Sequence, residues 1–192
     1  MIAVPLAALL ATASFAASPP RATVRAEAAA AARAQTAERV VYDGRYVRIP
    51  YPGGDVPAGT GVCTDVVIRA FRKAGVDLQK LVHEDMAKDF GAYPKAWGRR
   101  SPDANIDHRR VPNLMTFLAR MGASRPRTTR AADYEEGDLV TWDLGGGVTH
   151  IGIVVLEGGR PWIVHNIGAG PRLEDRLFAW TVTGHYRWEP VR

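Results

Sequence analysis

Cys63 is the only cysteine in this 192-residue chain, and it stands where the glycine-rich stretch Gly59-Thr60-Gly61 gives way to a helical pattern. A thiol acts as a nucleophile when a base takes its proton and a third group holds that base in one tautomer. Two of the five histidines offer those parts: His150 opens the run HIGIVVL and His165 closes PWIVH. Gly158-Gly159, between the two runs, can supply the positive φ angles of a two-residue hairpin turn. Such a turn pairs Glu157 with Arg160 and, carried down the ladder, sets Gly152 opposite His165. His165 then lies on the same face as His150, diagonal to it. A three-residue turn would bring Asn166 to that face instead. The expected set is therefore Cys63 as nucleophile, His150 as base and His165 as orienting group, with Asn166 as the alternative. Each residue taken alone also has an ordinary structural role, since a buried cysteine packs as a small hydrophobe and a strand histidine is often satisfied by backbone.

The elements that must position these groups follow from periodicity. Val66, Val67, Ala70, Phe71 and Ala74 recur at three- and four-residue intervals and predict a helix over 64–74, stopped by Gly75. Cys63 then sits at a helix N-terminus, where unpaired N–H groups and the macrodipole favour a thiolate. Further helices are expected over 78–90 and 112–121, the second begun by Pro112 and ended by Gly122. Between them runs a loop with Arg99, Arg100, Arg109 and Arg110, residues able to bind a carboxylate bidentately. Strands are expected over 138–144, 150–156, 161–168 and 180–188. Helices first and strands after predict an α+β fold with the helices packed on an antiparallel sheet.

Composition narrows the class. The chain is 46% hydrophobic and 23% charged, as in a globular protein, with a net charge of +5 and no dense Lys/Arg run that would predict a nucleic-acid partner. Residues 1–16 are uncharged, with a short apolar run and a small-x-small end, and are expected to be a signal peptide too short to span a bilayer. The mature protein is then exported, periplasmic or secreted, without an integral membrane span, and is expected as a monomer. Residues 17–39 are alanine-rich and predict a tether or an exposed helix, with the domain over 40–192. A metal hydrolase using His150 and His165 with His185 or Asp143 lacks any H-E-x-x-H or comparable ligand spacing, so neither metal nor cofactor is expected.

Several motifs carry a family resemblance. Tyr51-Pro52-Gly53-Gly54 leading to Cys63, Gly137-Asp138-Leu139, Thr149-His150-Ile151-Gly152-Ile153 and Val164-His165 resemble the NlpC/P60 group of papain-like cysteine peptidases. More closely, the runs GVCTDV, DHRR, HIGIV, HNIG and TGHY resemble the YijF-like family of uncharacterised bacterial proteins. The first resemblance implies a papain-like fold and a Cys-His-His hydrolase acting on amide bonds of peptidoglycan or other peptides, with Cys63, His150 and His165 catalytic. It places Tyr51 at the site, and Tyr51, Asp65, Arg109 and Asn166 are the substrate-binding candidates. Thr64-Asp65 replaces the Ser-Gly usual after the group's cysteine, which leaves a second reading: a cell-wall or ligand-binding module with the same fold and no turnover.

Overall fold

The computed structural model describes residues 22–191, so the signal peptide expected at 1–16 lies outside the described residues. Thr23 opens the first helix, its Oγ1 accepting the Ala26 N–H at 3.2 Å, and α1 runs over Val24–Gln35. Val24, Ala28, Ala29 and Ala32 are buried on one side of it, and Gln35 donates from Nε2 to the carbonyl of Val66 at 2.9 Å. Of the two expectations for the alanine-rich stretch, the helix forms over Val24–Gln35, but it packs into the core instead of lying exposed or acting as a tether. Alanine forms no wide apolar stripe, but its small side chain lets α1 lie close against the next helix, and its high helix propensity keeps the segment ordered there.

Two short strands, β1 (Val41–Tyr42) and β2 (Thr60–Gly61), pair in parallel and lead directly into α2 (Cys63–Lys73). Gly75 has φ 85° and stops that helix, as the sequence predicts. Asp77 Oδ1 caps α3 (Leu78–Lys88) by accepting the N–H groups of Gln79 at 3.0 Å and Lys80 at 3.3 Å. After a loop that includes a 3₁₀ turn over Asp107–Arg109, α4 spans Val111–Arg120.

The β-rich half forms one antiparallel sheet of β3 (Leu139–Asp143), β4 (Thr149–Glu157), β5 (Arg160–His165), β6 (Arg172–Glu174) and β7 (Thr181–Tyr186), in the order β6-β5-β4-β3-β7. Ile151, Ile153 and Val155 of β4 belong to the core under the helices with Val66, Val67 and Phe71 of α2. The alternate residues face a smaller core containing Val140, Trp142, Val154 and Ile163. The fold is α+β, helices on an antiparallel sheet. The hairpin is the expected one: Glu157 pairs with Arg160, and Gly158 and Gly159 take φ 56° and 78°.

Candidate active site

Three elements converge on Cys63. Val62 has no side chain that can cap α2, and Asp65 does the work instead, its Oδ2 accepting the Val62 N–H at 2.6 Å. The same carboxylate binds Arg109 in a fork, Nε to Oδ1 and Nη2 to Oδ2, both 2.9 Å, with each side chain at most 3% exposed. Arg109 also donates to the carbonyls of Asp43 and Arg45, and its own carbonyl accepts the Thr64 hydroxyl at 3.1 Å. The expectation that Asp65 and Arg109 bind substrate is corrected here: each is consumed by the other, sealing the start of α2 to the 43–45 strap. Arg109→Ala leaves a buried carboxylate unpartnered, and we expect it to cost about 3–5 kcal/mol in a urea unfolding titration; a residue that only touched substrate would leave the midpoint unchanged.

The sulfur of Cys63 faces the backbone N–H groups of Ile151, Thr64 and Cys63 itself. Ile151 follows His150 in β4, so the strand that carries the imidazole also runs past the thiol. Cys63 is only 4% exposed, and burial pushes its thiol up to about 11, with the charge of Asp65 acting in the same direction and the three N–H groups opposing it. The helix N-terminus was expected to favour the thiolate, yet desolvation outweighs it.

His150 and His165 meet on the smaller-core face. His150 Nε2 lies 2.7 Å from His165 Nδ1, and His165 Nε2 lies 2.9 Å from Glu174 Oε2. Trp180 packs edge-on against both rings at 6.1 and 5.9 Å. A carboxylate only accepts, so His165 donates from Nε2 to Glu174 and offers a lone pair at Nδ1. His150 must then donate from Nε2, which leaves its Nδ1 as the acceptor. The chain Glu174-His165-His150 thus sets His150 in the tautomer a base requires. Burial, and then the neighbouring His165, lower His150 to about 3, and burial lowers His165 against the pull of Glu174, so both rings rest neutral at pH 7.

Gly152 makes the meeting possible. A Cβ there would stand 2.6 Å from Ile163 Cγ2, 3.1 Å from the Val164 carbonyl and 3.2 Å from His165 Cβ. Any side chain would push β5 and its histidine away.

The remaining candidates sit elsewhere. Tyr51 is exposed and stacks edge-on against His83 at 4.9 Å, apart from the cleft at Cys63. Tyr42, which the sequence analysis missed, lines that cleft, and its hydroxyl is raised first by burial and then by the charges of Cys63 and Asp65. Asn166 is fully buried, donating from Nδ2 to the Gly61 carbonyl at 3.3 Å and accepting the Gly168 N–H at 3.0 Å, so it braces β2 from inside the fold rather than facing the cleft. His185 is bound by Asp138 at 2.7 Å and by the Pro126 carbonyl, away from the other two histidines. Glu174 was also missed. Its signal was faint: the three-residue β6, Arg172–Glu174, begins just past Pro171 and has little hydrophobic alternation.

The cleft beside Cys63 has a volume of about 460 Å³ and is walled by Tyr42, Tyr46, Trp97, Arg110 and Thr149. A larger hollow of about 640 Å³ lies between the end of α1 and β6, with Glu174 in its wall but neither cysteine nor histidine.

Among solved structures, the chain is similar to NlpC1 from Trichomonas vaginalis, at 13% identity and a TM-score of 0.48, over 89% of this chain but only 46% of that one. Among curated proteins it is 54% identical over 160 residues to the "Uncharacterized protein YijF" of Escherichia coli, covering 82% of this chain and 78% of that protein. Residues 29–188 match the family described as "Domain of unknown function (DUF1287)", and the chain belongs to that family.

Proposed function

We propose that this protein is an exported cysteine hydrolase that cleaves amide bonds in cell-wall peptides. The observation that carries the reading is the ordered relay from Glu174 through His165 to His150, on the strand whose next residue, Ile151, has its N–H beside the Cys63 sulfur. A cysteine hydrolase needs a nucleophile and a base held in one tautomer, and in this reading Cys63 is the first and His150, oriented by His165 and Glu174, is the second.

Because thiol and imidazole both rest neutral, activation is concerted. As Sγ bonds to the substrate carbonyl carbon, its proton passes to His150 Nδ1, and His165 and Glu174 stabilise the imidazolium that forms. The carbonyl oxygen becomes an oxyanion, which accepts a hydrogen bond from the Cys63 N–H. The C–N bond then breaks, the proton on Nδ1 goes to the leaving amine, and a thioester remains on Cys63. Water attacks the thioester with His150 again as base, releasing the carboxylic acid and restoring the thiol. Tyr42, lining the cleft beside the nucleophile, takes the substrate-contacting place first expected of Tyr51.

The resting state has a measurable signature. Below a thiol pKa near 11 the thiolate fraction rises about tenfold per pH unit. Iodoacetamide labelling of Cys63 should therefore climb log-linearly from pH 7 to 10, whereas a preformed thiolate-imidazolium pair would give a flat profile there. Slow labelling at neutral pH is thus what an active site of this type should show, and turnover rather than labelling separates the hydrolase from an inert binding module. Incubation with purified peptidoglycan, followed by mass spectrometry of the soluble fragments, tests the proposal. New free amines and carboxylates at one bond type support it; an unchanged sacculus from folded protein contradicts it.

A further inference from the structure

The walls of the Cys63 cleft are unevenly charged. Arg109 and Arg110 contribute to it and no carboxylate does. Arg109 is spent on Asp65 and two carbonyls. Arg110 differs: among the described residues its side chain makes one hydrogen bond, Nη1 to Asp107 Oδ1 at 3.1 Å, so Nε and Nη2 keep their donors. Its guanidinium lies over the ring of Trp97, 4.1 Å from the centroid, which fixes the plane of the fork. Burial disfavours its charge, Asp107 and Asp103 support it and Arg99 opposes it, and a carboxylate arriving on the free edge of the fork would add to that support. Beside it Tyr42, Tyr46 and Trp97 are 45%, 54% and 39% exposed, a cluster of large rings left open by the described residues.

The geometry points to a substrate subsite in which the Arg110 fork, held on Trp97, binds a carboxylate of the peptide whose amide bond reaches Cys63, while the rings of Tyr42 and Tyr46 pack against the peptide's carbon skeleton. The substrate class is therefore an acidic peptide with a free carboxylate near the scissile bond. This deepens the hydrolase reading and rests on it for the word substrate, but the binding it describes needs no turnover. Planar, two-point recognition is the task arginine performs better than lysine.

The test uses Cys63→Ala protein, which cannot consume its ligand, titrated by isothermal calorimetry with two short peptides, alanine-glutamate-alanine blocked at both ends and its glutamine counterpart. The acidic peptide should bind about tenfold tighter, as expected of a charge-assisted pair, and the preference should shrink at high salt. Adding Arg110→Gln should abolish the preference, and Arg110→Lys, which keeps the charge without the fork, should restore only part of it. Circular dichroism verifies that each variant is folded. Equal affinities for the two peptides, no binding of either, or a preference that survives Arg110→Gln would each overturn the subsite. Wild-type protein assayed on peptidoglycan separates the two proposals: cleavage without the preference removes the subsite alone, and the preference without cleavage removes the hydrolase alone.

Discussion

Cys63→Ala should reduce release of peptide fragments from peptidoglycan by at least about a thousandfold. The sulfur is the only atom in the site able to form the covalent bond, and the residues around it cannot substitute for it. Thr64 is turned to the Arg109 carbonyl, and Asp65 is locked by Arg109 and the Val62 N–H. The variant should remain folded, because deleting one buried sulfur from the edge of the core costs far less than removing a large side chain. The check is a pair of measurements on one preparation: fragment release, and the urea unfolding midpoint. Loss of activity with a nearly unchanged midpoint is expected. A loss of both would make Cys63 a packing residue.

The second large effect belongs to His165. Its ring is wedged between His150 and Glu174 at 2.7 and 2.9 Å, and it touches substrate in no step of the mechanism. His165→Ala frees the His150 ring to rotate and to place its proton on Nδ1, where a base must have a lone pair, so kcat should fall about a hundred- to ten-thousandfold with little change in KM. His165→Asn should recover part of the loss, because an asparagine Oδ1 can accept the His150 Nε2 proton and restore the tautomer. A merely structural histidine would show no such rescue. Glu174→Gln should act more weakly, since the amide oxygen still accepts from His165 while the charge that stabilises the imidazolium is gone.

What could be read from the sequence was set by local rules. The two-glycine turn fixed the hairpin register, the register fixed the face, and His165 rather than Asn166 followed because side chains alternate with period two. The start of α2 at Cys63 was equally visible, as five apolar residues at helical spacing define its buried face. The fork between Asp65 and Arg109 was not visible, because 44 residues separate the partners and both types are ordinary surface residues until the fold buries them. Tyr42 was passed over for Tyr51 because motif spacing counts positions along the chain, whereas β1 carries Tyr42 to the cleft through its pairing with Gly61. The alanine helix was misjudged for a related reason: a small side chain carries little hydrophobic signal, and its value lies in how near it lets a neighbour come. Glu174 became legible only once β6 was paired with β5, with Glu174 opposite Ile163 and therefore diagonal to His165.

The most direct test of the central claim is to catch the acyl-enzyme. Wild-type protein mixed with soluble peptidoglycan fragments, quenched in acid within milliseconds and digested, should yield the Cys63 peptide carrying the mass of the acyl fragment. That adduct should disappear on treatment with hydroxylamine, as a thioester does, and should never form in the His150→Ala protein. Continuing hydrolysis with an unmodified Cys63 at every quench time, undiminished by Cys63→Ala, would contradict the account.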